Sequence, residues 1–262
     1  MKPPIAYYGG KQNLVKTILP LIPEHKTYIE PFFGGGAVFF AKPQIKHEII
    51  NDTDGRVVNL FKCMRDNFEE LRHLVENSLH CEATYKEAKE VLKENQTGVK
   101  AAWAWWVLCN TSFSNIPGGG FAFSKDSKEA RTVKSKRDRF KTFAGRFGTV
   151  LIFNRDALDV IKRTDHAGAF FYIDPPYVSS DCGHYKGYTE EDFRALLGML
   201  SNIKGKFLLS SYPETALIEA RKKHGWQTLD TTTVVNVTHL TNKTKTECLT
   251  FNYKLEQQTL FT

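Results

Sequence analysis

Between residues 27 and 52 the chain changes texture three times. A strand-like run, Thr27-Tyr28-Ile29-Glu30, meets Pro31-Phe32-Phe33-Gly34-Gly35-Gly36. A short apolar stretch then ends at Pro43, and a second strand-like run follows, His47-Glu48-Ile49-Ile50-Asn51-Asp52. Strand, glycine turn, helix and strand form a parallel βαβ unit, which commits the chain to an α/β sheet. A helix carrying Val57, Val58, Phe61 and Met64 continues the pattern. It resumes at 149–153 and 169–173, both continuous apolar runs suited to central strands covered on two faces. Residues 189–202 read as a helix with a Thr189/Asp192 cap, 207–209 as a strand, and 214–224 as a helix closed by Gly225. Two late strand-like runs end the chain. Near the N-terminus, residues 11–21 place Leu14, Val15, Ile18 and Leu19 on one helical face before Pro20 and Pro23.

The middle of the chain reads differently. Residues 67–113 are helical throughout: Asn67 with Glu70 suits a capping box, 83–95 is rich in Lys, Glu and Ala, and 99–109 is apolar on all sides. Trp103, Trp105 and Trp106 belong to that apolar packing and not to base stacking. Ile116-Pro117-Gly118-Gly119-Gly120 breaks the helices, and Phe121-Ala122-Phe123 suits one arm of a small hairpin. We therefore expect a catalytic, cofactor-binding domain in two parts, residues 1–62 and 150–262, around a helical insertion at 63–149.

Charge singles out the same insertion. The 262 residues have a formal net charge of +7, and residues 125–146 alone hold nine basic side chains against three acids, a net of +6. A basic segment of this kind suits a polyanion, although a solvated helix face would look the same. The longest apolar run, 101–109, is far short of the roughly 20 residues that span a bilayer. Met1-Lys2-Pro3-Pro4 leads into tyrosines and glycines and not into an export signal, so a cytoplasmic location is expected. Cys63, Cys81, Cys109, Cys182 and Cys248 are odd in number and widely scattered, which excludes zinc ribbons and disulfide scaffolds and suits reduced thiols.

Three stretches carry chemistry. Asp174-Pro175-Pro176-Tyr177 follows directly on the strand ending at Ile173, where open α/β sheets bind ligands. An exocyclic amine on an aromatic base is a poor nucleophile because its lone pair is delocalised into the ring. Two acceptors, the Asp174 carboxylate and the Pro175 carbonyl, would take its two hydrogens and turn the lone pair toward an electrophile. Consecutive prolines fix where that carbonyl points. Tyr177 would stack on a base that has left the duplex. A proline-rigid turn with a buried tyrosine is the plainer alternative. The second stretch, Glu30 to Gly36, lets backbone approach a ligand closely, and Asp52, ending the next strand, suits ribose hydroxyls. Phe39 stands where G-x-G-x-x-G needs its third glycine, so a nucleoside without pyrophosphate fits better than a dinucleotide. In the third, Tyr7-Tyr8-Gly9-Gly10-Lys11, Lys11 would neutralise a carboxylate and an aromatic ring would face a cation. Alone, that stretch equally describes a surface turn.

In this order the three stretches resemble the N6-adenine-specific DNA methyltransferases, in particular the Dam-like, D12-class group that uses S-adenosylmethionine. The resemblance covers most of the chain outside the insertion. It implies a Rossmann-like mixed sheet with an antiparallel late strand, and a target-recognition region between the glycine motif and the catalytic loop. By matching position, Tyr7 and Lys11 would contact the methionine part of the cofactor and Asp52 its ribose. Glu30, Phe32, Gly34 and Gly36 would line the same pocket, with Asp174 serving both cofactor edge and reaction zone. Asn154-Arg155-Asp156 matches a weaker motif near the cofactor's adenine, with a helix cap by Asp156 as the alternative. Residues 241–253, with Lys243, Lys245 and Glu247, resemble the family's C-terminal strand motif, whose basic residues touch the strand holding the flipped base. Lys134, Lys136, Arg137, Arg139 and Lys141 fit phosphate contacts better than base reading. Asn110-Thr111-Ser112-Phe113-Ser114-Asn115 departs from the tyrosine- and asparagine-rich loop of Dam, so recognition of GATC is not implied.

The expected protein is therefore a restriction-modification type enzyme acting on double-stranded DNA as a monomer or weak dimer. It would flip an adenine and methylate N6 by direct in-line displacement, with no metal and no covalent enzyme intermediate. Three rivals differ in one feature each. An N4-cytosine methyltransferase more commonly has Ser in place of Asp174. A protein-glutamine methyltransferase usually has Asn there and little use for the basic segment. A DNA-binding relative without catalysis has no need of an intact tetrapeptide.

Overall fold

The computed structural model describes residues 1–7, 9–178, 188–238 and 241–255, with 233–238 and 241–245 described as backbone alone. Its strands are β1 (Thr27–Glu30), β2 (His47–Asn51), β3 (Val150–Phe153), β4 (Ala169–Ile173), β5 (Lys206–Ser211), β6 (Gln227–Thr238) and β7 (Thr241–Phe251). They form one mixed sheet in the order β3-β2-β1-β4-β5-β7-β6. The helices are α1 (Val15–Ile18), α2 (Ala37–Ala41), α3 (Gly55–Asp66), α4 (Phe68–Glu76), α5 (Glu82–Glu94) and α6 (Gly98–Thr111). Four more follow: α7 (Lys128–Asp138), α8 (Ala157–Thr164), α9 (Glu190–Leu200) and α10 (Thr215–His224). The Rossmann-like mixed architecture implied by the resemblance is present, with β7 antiparallel to both of its neighbours. No helix among the described residues is long and apolar enough to cross a membrane.

The chain divides into two compact units. One comprises Met1–Val15, Phe33–Gln44 and Glu48–Asp156; the other comprises Lys16–Phe32, Ile45–His47 and Ala157–Thr262.

In the second unit, β1, β4 and β5 run parallel, with Tyr28 beside Phe170 and Phe171 beside Phe207. All five residues of β4 are buried, as an unbroken Ala-Phe-Phe-Tyr-Ile run in a two-faced central strand must be. The Thr189/Asp192 capping box forms, with Thr189 N–H donating to Asp192 at 2.8 Å and Asp192 N–H to the Thr189 hydroxyl at 3.2 Å. Gly225 closes α10 in the left-handed conformation.

In the first unit, β2 and β3 pair in parallel from Glu48 opposite Val150 to Asn51 opposite Phe153. Helices occupy most of the chain between them. The core is aromatic: Phe33 meets Phe61 edge-on at 4.8 Å, Phe40 meets Phe143 at 5.2 Å, and Phe39 stacks on Phe147 at 5.6 Å. Beneath it, Glu48 on β2 is buried between Lys42 and Arg146, and the Arg146 guanidinium lies 3.6 Å from the centre of the Phe39 ring. A carboxylate this deep is retained because two cations partner it. Trp103, Trp105 and Trp106 are buried in α6, as the all-round apolar pattern requires.

Three local expectations fail for identifiable reasons. The run at 149–153 is not a central strand: β3 is the edge of the sheet and Leu151 is 47% exposed. A short apolar run does not distinguish edge from centre, because that depends on which strand pairs next. Residues 11–21 form no continuous helix but two 3-10 turns flanking the four-residue α1, since Gly10 offers no side-chain cap and Pro20 no donor. Asn67 does precede α4, yet its side chain accepts nothing. It also ends α3, and its φ of −133° and ψ of 38° answer to both helices at once. Cys63, Cys109 and Cys248 are buried free thiols and Cys81 is a half-buried one; Cys182 lies outside the described residues.

Candidate active site

In the first unit, the glycine turn and Tyr7 are built against each other. Gly34 has φ +48° and Gly36 φ +68°, backbone that L side chains rarely adopt. A methyl group added at Gly34 would meet Tyr7 Cδ1 at 2.9 Å, one at Gly35 would meet Tyr7 Cβ at 2.9 Å, and one at Gly36 would strike Phe33 Cζ at 2.5 Å. The glycines are therefore required by the two aromatic side chains packed against them. Lys11 is buried, and its ammonium donates to the Gly9 carbonyl at 3.1 Å. Tyr8 lies outside the described residues.

Asp52 stands just beyond β2, half-buried. Its Oδ2 accepts the Gly34 N–H at 2.8 Å and its Oδ1 the Asp54 N–H at 2.9 Å. Burial pushes its carboxyl up to about 6, against the opposing effect of those two backbone hydrogen bonds. A carboxylate has about four acceptor positions, so this group keeps capacity for hydroxyl donors such as those of a ribose. The loop presenting it is held from β3's end. Asn51 and Arg155 exchange two hydrogen bonds, at 2.9 and 3.0 Å, and the Asn154 amide donates to the Asp52 carbonyl at 2.7 Å. The family resemblance implies a place for Asn154-Arg155-Asp156 near the cofactor's adenine; in the structure the first two brace the Asp52 loop. Asp156 itself is exposed, next to the start of α8.

The second unit holds the other candidates. Glu30 ends β1 and is 2% exposed; the Tyr28 hydroxyl, on the same face two residues earlier, donates to it. Phe32 is half-buried, 6.4 Å from the Tyr188 ring and edge-on to it. Asp174 follows β4 and is half-buried, with Pro175 buried and Pro176 half-buried. Tyr177 is gripped at its far end: its hydroxyl donates to Glu247 on β7 and lies 3.5 Å from the Ser210 hydroxyl of β5, while its ring rests 4.3 Å from that of Tyr212. Ser210 also donates to Glu247, at 2.5 Å. Burial first, then the charges of Asp174 and Glu247, pushes the Tyr177 phenol far above its usual range. At Tyr172 burial acts with Asp174, Glu30 and Glu247 in the same direction. Three carboxylates therefore lie near one buried phenol at this end of the strands. A small cleft runs along the loop, lined by Pro175, Pro176, Tyr177, Phe193, Ser211 and Tyr212.

Glu247 is the residue whose role the sequence did not reveal. It sits in a motif noted for its lysines, yet it is the acidic member that reaches Tyr177. An isolated acid in the buried run Glu247-Cys248-Leu249-Thr250-Phe251 was the available signal. The side chains of Lys243 and Lys245 lie outside those described.

The basic segment is divided by direction. Lys134 and Lys141 are exposed, Lys134 pairing with Asp138 one turn on. Lys136, Arg137 and Arg139 reach inward: to Asn110 Oδ1 at 2.6 Å, the Ser78 carbonyl at 2.9 Å and the Pro3 carbonyl at 3.1 Å. Burial lowers the Lys136 ammonium to about 8. Lys125, Lys128 and Arg131 complete the exposed set on this stretch. Among the described residues no three His, Cys, Asp or Glu side chains converge as a metal site would need.

Comparison with known proteins agrees with these motifs. The family model for D12 class N6 adenine-specific DNA methyltransferases matches residues 7–196. The type II methyltransferase M1.LlaDCHI of Lactococcus lactis subsp. cremoris is 27% identical over 218 residues, covering 74% of this chain and 72% of that protein. M.CviBI of Paramecium bursaria Chlorella virus NC1A is 24% identical over 218 residues, with 80% and 82% covered. M.MjaIII of Methanocaldococcus jannaschii is 25% identical over 228 residues, with 74% and 75% covered.

Proposed function

Because the chain belongs to the D12 class N6 adenine-specific DNA methyltransferase family, we propose that it methylates the N6 amino group of an adenine flipped out of duplex DNA. S-adenosylmethionine, when bound, supplies the sulfonium methyl group. Tyr7, Lys11, Gly34, Gly36 and Asp52, all in the first unit, would hold it; the spare acceptor capacity of Asp52 fits its ribose hydroxyls.

The observation that carries this reading is Asp174-Pro175-Pro176-Tyr177 directly after the buried strand β4, with Tyr177 anchored on Glu247. The Asp174 carboxylate and the Pro175 carbonyl each accept a hydrogen bond from one N6 hydrogen, which turns the nitrogen lone pair out of conjugation with the ring. Transfer of the methyl group breaks its bond to sulfur, leaves the cofactor as a neutral thioether and makes the amine cationic. The Asp174 carboxylate stabilises that charge until a proton leaves. Tyr177 offers a ring face to the extrahelical base, and its hydroxyl anchor at Glu247 holds the ring in place. The exposed basic side chains Lys134 and Lys141 offer phosphate contacts that position the duplex without reading it.

Asp174→Ala tests the mechanism. Methyl transfer from labelled cofactor should vanish while DNA affinity stays close to that of the parent protein. Near-normal turnover in the variant would end the proposal, as would N4-methylcytosine in place of N6-methyladenine among the nucleosides of DNA modified by the parent.

A further inference from the structure

Asn110 lies at the end of α6 and is buried, and every hydrogen-bonding position of its amide is occupied. Its Oδ1 accepts the Ala6 N–H at 3.0 Å and the Lys136 ammonium at 2.6 Å. Its Nδ2 donates to the Pro4 carbonyl at 3.2 Å and to the Trp106 carbonyl at 2.9 Å. Arg139 adds a bond to the Pro3 carbonyl at 3.1 Å. Residues 3–6 are thus clamped, main chain by side chain, onto the helical part of their unit, and none of these bonds belongs to a strand or helix ladder.

The next residue is Tyr7, whose ring lies against Gly34 and whose Cβ lies against Gly35 so closely that a methyl group added at either glycine would meet it at 2.9 Å. A shift of Ala6 must carry Tyr7 with it, because consecutive Cα atoms are locked about 3.8 Å apart. Without Asn110, the buried Ala6 N–H and Pro4 carbonyl would lose their partners and the segment its register. Lys136 belongs to α7, the helix whose other face presents Lys134 to solvent. One chain of contacts therefore runs from the basic helix through Asn110 to the tyrosine of the cofactor motif.

We propose that Asn110 is a positioning residue for Tyr7: it sets where that ring meets the glycine turn, and Lys136 ties this setting to the basic helix. The inference rests on the reading that Tyr7 contacts S-adenosylmethionine. Its test is a double-variant cycle on the full chain, with the cofactor dissociation constant measured by calorimetry. Asn110→Ala should weaken cofactor binding about tenfold, a size within the range of coupled polar networks. Turnover at saturating cofactor should stay within about twofold. In a Tyr7→Ala background, Asn110→Ala should add nothing further. Lys136→Met, a milder change suited to the case in which Asn110→Ala does not fold, should act in the same direction and likewise lose its effect once Tyr7 is gone. Additive losses in the double variants would overturn the proposal, and so would unchanged cofactor affinity alongside a lowered melting temperature. If the parent protein itself bound no cofactor, the functional reading beneath the proposal would be the one to fall.

Discussion

The Tyr177 hydroxyl donates to the Glu247 carboxylate across 70 residues of sequence, fastening the loop after β4 to strand β7. The tyrosine of the Asp174-Pro175-Pro176-Tyr177 loop is therefore held by its edge, with Ser210 donating to the same carboxylate oxygen. If a base stacks on Tyr177 as proposed, a ring anchored this way has little freedom left to lose, and such preorganisation would lower the barrier to a correctly oriented reaction.

Removing the anchor should slow chemistry more than binding. Tyr177→Phe keeps the ring and loses the hydroxyl, and single-turnover methylation should fall about tenfold with cofactor affinity unaltered. Glu247→Gln, which retains an acceptor, should cost less than Glu247→Ala, which removes it. Wild-type rates in Tyr177→Phe would show that the anchor is incidental.

Cofactor binding should depend on pH through Asp52. Its carboxyl is pushed up to about 6, so it is charged and fully accepting at pH 8 and protonated at pH 5. Affinity should be flat above about pH 7 and weaken as pH falls through 6, by at most about tenfold per unit. The sign for folding is opposite. Holding this carboxylate charged costs the empty protein stability as pH rises through 6, and that cost is absent below the ordinary carboxylate range. Asp52→Asn should flatten the affinity profile; a titration step that survives in that variant would assign it to another group.

Gly36→Ala should be strongly destabilising. It forces an L residue to φ +68° and drives a methyl group into Phe33, and strain and overpacking together suggest about 2–4 kcal/mol. Gly98→Ala provides the comparison: φ there is +82°, with nothing within 4 Å, so conformational strain alone should cost about 1–2 kcal/mol. Equal shifts in denaturant midpoint for the two variants would show that the contact with Phe33 yields freely.

The basic residues of the insertion should separate into two groups. Lys134→Ala and Lys141→Ala should each reduce the salt dependence of DNA binding by about one counterion, with melting temperature nearly unchanged. Arg139→Ala should do the reverse, lowering the melting temperature because the buried Pro3 carbonyl loses its donor. Fluorescence anisotropy on duplex DNA at several salt concentrations, beside thermal melts, distinguishes them.

Local pattern alone carried much of this protein. The strand, glycine turn, helix and strand of residues 27–51, the Thr189/Asp192 capping box and the loop after β4 are each written in a few adjacent residues, because backbone sterics and strand ends act over that range. What lay beyond it was partnership. That Leu151 sits at a sheet edge, that Lys136 and Arg139 turn inward, that Glu247 holds Tyr177 and that Asn110 grips Pro4 and Ala6 across more than a hundred residues depended on which surfaces folding brought together. A hydrogen bond or ion pair requires its two atoms within about 3 Å, and for residues so far apart in the chain only the packed tertiary structure decides that distance.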